Sequence, residues 1–188
     1  MAFLASTAFE PRVTNNEFDA LCNITGKYQV SSSDADCSAG LLCVRGDNLP
    51  CEGFGSEVFN ENAYYMASAA SDVTANTPVY ACNMYEAKMI DNYFIGTETL
   101  GLGIPAGRYG TFTRIYFDGA SKYRFGIGNV SGTLSSGYDY LTIDDGLLSP
   151  ESSEPASGTP YFLLKGTGNF VEGTTNSFEY VDVEAHIA

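Results

Sequence analysis

Short runs of alternating apolar and polar residues, each closed by a cluster of Gly, Ser, Asn or Asp, recur from Thr77 to the end of this 188-residue chain. A period of two puts successive side chains on opposite faces of a strand, and the clusters supply turns. The pattern predicts a mainly β fold, an antiparallel sandwich or barrel, over residues 61–188. Val79–Tyr85 follows Pro78, which opens strands well. Tyr138–Ile143 reads as a strand ended by Asp144-Asp145-Gly146. Ser149–Gly158 reads as a mobile loop by composition, and Tyr161–Lys165 and Phe178–Ala185 read as the closing strands. Between Glu57 and Ala70 the alanines favour helix and the paired tyrosines favour strand; a strand over Ala63–Ala69 is the reading taken here.

The best local signal spans Thr111–Ile127. Two period-2 runs flank Asp118-Gly119, which predicts a β-hairpin turning there. Thr113, Ile115 and Phe117 share one face of the first run, and Tyr123, Phe125 and Ile127 share one face of the second. Arg114, Lys122 and Arg124 are expected together on the solvent face.

Residues 1–60 read as a separate N-terminal arm. Thr14-Asn15-Asn16-Glu17 matches a capping box, so a short helix is expected near Asn15–Cys22. Lys27–Val30 and Leu41–Val44 are short strand candidates, with Ser31–Asp36 a loop between them. Arg45-Gly46-Asp47 then reads as part of a turn rather than an adhesive tripeptide. Phe3, Phe9 and Phe18 punctuate the opening stretch. Spaced aromatics without a local core must find apolar surface elsewhere, so these three are candidate partner-binding anchors, together with Arg114, Lys122 and Arg124.

A formal net charge of −14 argues against unaided nucleic-acid binding, which needs clustered Lys and Arg. The charge is unevenly spread: Gly101–Val130 holds four cations and one acid, while Ser131 onward holds nine acids and one lysine. One copy's basic segment could therefore meet another surface's acids, although intramolecular pairing is the plainer account. No convincing secretory signal opens the chain, and no run approaches the roughly 18 apolar residues of a membrane span. Folding in a cytoplasm is expected. The five cysteines, Cys22, Cys37, Cys43, Cys51 and Cys82, are odd in number and irregularly spaced. They are expected to be reduced and buried rather than disulfide-bonded or zinc-binding.

The catalytic inventory is thin. The one histidine, His186, lies two residues from the end, where fraying would make it a poor general base. Gly101–Gly107 lacks the Gly-Lys-Ser/Thr of a phosphate loop. With 23 acids some carboxylate pair is always available, so a glycosidase argument has no force. Asp139, Asp144 and Asp145 could in principle hold calcium, but Asp144-Asp145-Gly146 is a turn first. Asn23-Ile24-Thr25 and Asn129-Val130-Ser131 match glycosylation acceptors. No catalytic, metal or cofactor site is expected.

Several phrases form a familiar set: Ala2-Phe3-Leu4-Ala5, Tyr65-Met66-Ala67, Ser71-Asp72-Val73-Thr74, Thr77-Pro78-Val79-Tyr80, Leu100–Gly107, Tyr123-Arg124-Phe125-Gly126, Leu141–Pro150 and Leu164–Phe170. Together the chain resembles small structural proteins encoded beside the capsid genes of tailed phages and prophages of Firmicutes. The resemblance implies a virion protein, most of all a capsid decoration (cement) protein on the capsid surface, with a β domain and an arm pinning it across capsomers. Its partners would be the major capsid protein and further copies of itself, with no direct nucleic-acid or membrane contact. Another virion part (head fibre, tail tube or major capsid subunit) and a carbohydrate-binding β-module are the alternatives.

Overall fold

The computed structural model describes residues 7–13, 23–48, 63–70, 73–85, 89–90, 93–94, 103–172 and 176–188. The strands are β1 (Phe9–Val13), β2 (Asn23–Val30), β3 (Ser33–Asp34), β4 (Leu42–Asn48), β5 (Ala63–Ala69), β6 (Val79–Tyr85), β7 (Met89–Ile90), β8 (Tyr93–Phe94) and β9 (Gly110–Ile115). After them come β10 (Lys122–Gly126), β11 (Tyr140–Asp144), β12 (Leu147–Glu151), β13 (Pro160–Glu172) and β14 (Asn176–Ile187). One 3-10 turn, Ile127–Asn129, follows β10. The mainly β, antiparallel expectation holds; among the described residues β2 lies parallel beside β5, and Val130 and Leu148 form a parallel bridge.

The first sheet runs β1-β10-β14-β13-β11-β12. The second runs β3-β2-β5-β4-β6-β9, and β9 also pairs with β2. That extra ladder closes β2, β5, β4, β6 and β9 into a ring, a small barrel lying against the first sheet. The period-2 pattern explains the layering. Leu42, Val79, Ala81 and Ile115 point out of the barrel and join Tyr123, Phe125, Leu141, Phe162, Val181 and Val183 of the first sheet in the main core. The residues between them, Cys43, Tyr80, Cys82 and Phe112, point inward and form a second core with Tyr28, Cys37, Leu41 and Ile104. Strands buried on both faces read as near-continuous apolar runs, as Leu41–Val44 and Val79–Cys82 do.

The Asp118-Gly119 hairpin does not form. β9 belongs to the second sheet and β10 to the first, so the chain crosses between layers there. The reason is register. A loop centred on this dipeptide would set Ile115 opposite Lys122 and Thr113 opposite Arg124, turning the face of Ile115 and Phe117 toward the charged one. β10 instead lies beside β14, where Lys122 faces Glu184, Arg124 faces Asp182, Tyr123 faces Val183 and Phe125 faces Val181. Asp118 closes the crossing as an Asx turn, its Oδ1 accepting from the Ala120 and Ser121 amides at 3.0 and 2.7 Å. The chain's Asp-Gly hairpin is the other such dipeptide, Asp145-Gly146. Both residues take positive φ, 46° and 77°, the I′ geometry, and Ile143 meets Leu148 across the ladder.

Three other readings are corrected. Arg45-Gly46-Asp47 lies within β4, in an irregular ladder with β5, rather than in a turn. The segment expected to be loop from Ser149 stays in β12 to Glu151; its Pro150 is tolerated because β12 is a sheet edge. The described part of residues 1–60 is not an arm: β1 pairs with β10, and β2 and β4 are barrel staves. The helix expected near Asn15–Cys22 lies outside the described residues. Ala63–Ala69 and Val79–Tyr85 are strands as read.

Candidate functional site

The six predicted anchors do not come together. Phe9 is 4% exposed, with its ring 5.2 Å from Phe125 and 6.0 Å from Tyr123. It is a core residue of this chain, and its expected role on a partner is corrected accordingly. Burying a phenyl ring is worth roughly 1.5–3 kcal/mol, and the chain's own sheet captures it. Phe3 and Phe18 lie outside the described residues. Arg114 is on the barrel, whereas Lys122 and Arg124 are on the first sheet, so the shared basic face does not exist.

Lys122 and Arg124 face acids of β14. The Arg124 guanidinium donates through Nε and Nη2 to the two Asp182 oxygens at 2.7 and 2.8 Å, and it stacks 3.7 Å over the Tyr180 ring. Lys122 and Lys165 approach Glu184 at 3.7 and 3.9 Å, and His186 Nε2 lies 2.8 Å from the same carboxylate. Burial pushes the Glu184 carboxyl upward, but the His186 hydrogen bond and the charges of Lys165, His186 and Lys122 outweigh it and hold the group below its ordinary value.

His186 is not frayed. It sits in β14 opposite Tyr161, whose ring stacks on the imidazole at 5.5 Å. Burial raises the Tyr161 hydroxyl pKa, helped by the charge of Glu154. The sequence hid this because nearness to a terminus says nothing of whether the last strand is central, and β14 lies between β10 and β13.

The thiols Cys37, Cys43 and Cys82 are free and buried together in the barrel. Cys37 and Cys43 sulfurs are 3.9 Å apart, and Cys82 donates to the Cys37 carbonyl at 3.4 Å. Burial, then hydrogen bonds with Cys43 and Cys82, push the Cys37 thiol well above its ordinary value. Among the described residues no group of three His, Cys, Asp or Glu is arranged to hold a metal. Asn129, the asparagine of one glycosylation pattern, is 1% exposed. Its Nδ2 donates to Ala39 O at 2.8 Å and its Oδ1 accepts from the Ala8 amide at 3.0 Å, so it serves as an internal tie.

Two features face outward. β13 and β14 continue as a two-stranded ribbon past their neighbours: β11 pairs with β13 only at Phe162 and Leu163, and β10 reaches β14 only as far as Tyr180. Beneath the ribbon's foot lies an open groove of about 580 Å³, lined by Thr133, Leu134, Thr167, Asn169, Glu179 and Tyr180 among others. Among the described residues no helix is long and apolar enough to cross a membrane. Comparison with known proteins returns nothing: no family model matches the chain, and neither a curated protein nor a solved structure matches it.

Proposed function

We propose that this chain is a structural protein of a tailed-phage virion, a capsid decoration protein that binds the major capsid protein and bridges neighbouring subunits on the capsid surface. The observation that carries this reading is the β13–β14 ribbon. Over Gly166–Glu172 and Asn176–Glu179 its outer backbone edges have no strand beside them among the described residues. A two-stranded ribbon is marginal in water, and open edges are templates for pairing with another chain. Extending beyond the paired part of the first sheet, it suits a subunit that works by contact area. Many weak contacts repeated around a shell oppose subunit separation. Detection of the chain at capsid-like copy number in purified virions of the phage or prophage that encodes it supports the reading. Its absence from them, or unchanged capsid binding when residues 168–178 are replaced by a two-residue turn, would overturn it.

A carbohydrate-binding role has one observation in its favour, the groove at the ribbon's foot, where Thr133, Thr167, Asn169, Glu179 and Tyr180 converge on a volume in the range of small-ligand sites. Titration calorimetry against a panel of cell-wall saccharides decides it: saturable heat that Asn169→Ala removes supports this second role, and flat isotherms refute it.

A further inference from the structure

Two features of the surface meet at one place. The first is Arg114. Lys27, Lys122, Arg124 and Lys165 each sit within ion-pair distance of a carboxylate. Arg114 instead lies over the Tyr116 ring, 5.2 Å from its centre. The second is Ile187, 44% exposed and one of two large exposed hydrophobic residues among those described. Both line a single open groove of about 360 Å³, together with Asn76, Pro78 and Phe117. Asp118 borders it too, and its carboxylate oxygens accept from Ala120 and Ser121 in the Asx turn. A guanidinium beside exposed apolar surface suits an acidic, partly apolar protein segment.

We propose that this groove is an interface between copies of the chain, receiving the β11–β12 hairpin tip of a second copy. Charge complementarity favours this occupant. The tip carries Asp144 and Asp145, both exposed, on a tight I′ turn, with Leu147 half-buried beside them. In a chain of net charge −14 acids are plentiful, and a cation lining a groove is the scarcer and more specific element. Tip and groove are different surfaces, so the contact is heterologous. A bound pair keeps one free tip and one free groove, and the contact propagates into a ring or an open row. The groove is small against the roughly 1,200–2,000 Å² buried by stable complexes, so a single contact is weak and acts through repetition. The proposal rests on the assembly reading, but it is tested without capsids, so either can fail alone.

The test is sedimentation equilibrium of the full chain at low salt, up to about 1 mM, the range of a weak contact. Reversible association is expected, weakened by added salt and by about tenfold in Arg114→Gln or in D144N/D145N. Combining the substitutions should add little beyond either alone, because both remove the same contact. Circular dichroism melts confirm that each variant folds; should R114Q not fold, Ile187→Ser takes its place. Mixing R114E with D144R provides a restoring arm: neither self-associates, and the mixture does. A wild type that stays monomeric throughout, or association that neither R114Q nor D144N/D145N weakens, overturns the proposal.

Discussion

Gly103 lies against the Cys37 carbonyl so closely that a side-chain carbon built on it would overlap that oxygen and come within 2.6 Å of the Ala39 amide nitrogen. Its φ is +79°, a conformation open to glycine and strained for other residues. The approach exists because Cys37 and Ile104 exchange two backbone hydrogen bonds of 2.8 Å, which clip the 37–41 segment over the barrel. The described part of the glycine-punctuated stretch, residues 103–107, therefore serves as a structural clip rather than a phosphate loop. Gly103→Ala is expected to destabilise the fold by about 2–4 kcal/mol through clash and backbone strain together. Urea unfolding checks it, and a midpoint within error of wild type would refute the clip.

The same clip seals the thiols. Cys37, Cys43 and Cys82 have no exposed surface, and the Cys37 thiol, pushed upward in pKa, also holds little thiolate. Brief treatment of the native chain with iodoacetamide, followed by peptide mass spectrometry, should leave these three unmodified. All three should label once urea unfolds the chain. In Gly103→Ala, labelling should begin at lower urea than in wild type, with Cys37 modified first because it lies on the clip itself.

Glu184 and Asp118 predict acid sensitivity. Asp118 is held below its ordinary value because the Ser121 and Ala120 amides and the Ser121 hydroxyl outweigh its burial. Glu184 is held below its own ordinary value of 4.5 by His186 and the two lysines against burial. A carboxyl with a depressed folded pKa contributes stability that is present above its unfolded pKa and lost as pH falls through the folded one. Stability should be flat from neutral pH to about 5 and decline below about 4.5 as these groups protonate. Glu184→Gln should flatten part of that decline and lower stability at neutral pH. Denaturation midpoints across the range check this, and a decline of equal size in both chains would remove Glu184 from the account.

Layer composition was legible in the sequence, and pairing partners were less so. Alternation identified the buried face of Lys122–Gly126, where Tyr123 and Phe125 enter the core and Lys122 stays exposed, because burial on a strand is a local property. Which strands meet is decided by matching faces across distance. Of the two Asp-Gly dipeptides, Asp118-Gly119 has the longer flanking runs, yet its register sets apolar against charged. Asp145-Gly146 has shorter runs and sets Ile143 against Leu148. Counting face parity across each turn separates them from sequence alone. The β2–β3 turn had no such signal: Ser31 and Ser32 take φ of 50° and 63°, a geometry that Asn-Gly usually signals. The open groove around Arg114 was invisible for a related reason. It is made by Asn76–Pro78, the β9 end and the last residues of β14, which only the crossing between layers brings together. The basic character of Arg114 was evident, but its separation from Lys122 and Arg124 followed from that same crossing.

The opening strand gives the sharpest test of how the N-terminal region is used. Phe9 enters the core beside Phe125 and Tyr123, and β1 covers what would otherwise be the open edge of β10. The Gly126 amide donates to Ala8 O at 2.9 Å, and Asn129 holds the Ala8 amide from the other side. Removing this segment exposes the β10 edge, leaves Asn129 Oδ1 without its donor and opens a ring-sized void. Phe9→Ala alone is expected to destabilise the chain by about 3–5 kcal/mol, the usual range for a buried phenylalanine. Deletion of residues 1–13 should do more, giving a chain that is largely unfolded or aggregated at 25 °C, since about 5–15 kcal/mol is all that a typical domain has to lose. Deletion of residues 1–6 should leave cooperative melting close to wild type. Differential scanning calorimetry of the three variants separates the cases. If the 1–13 deletion melts like wild type, β1 is dispensable to the fold and an N-terminal docking arm becomes the better description. If only Phe9→Ala and the longer deletion lose stability, the segment from Thr7 onward belongs to the core, and any docking role is confined to residues before it.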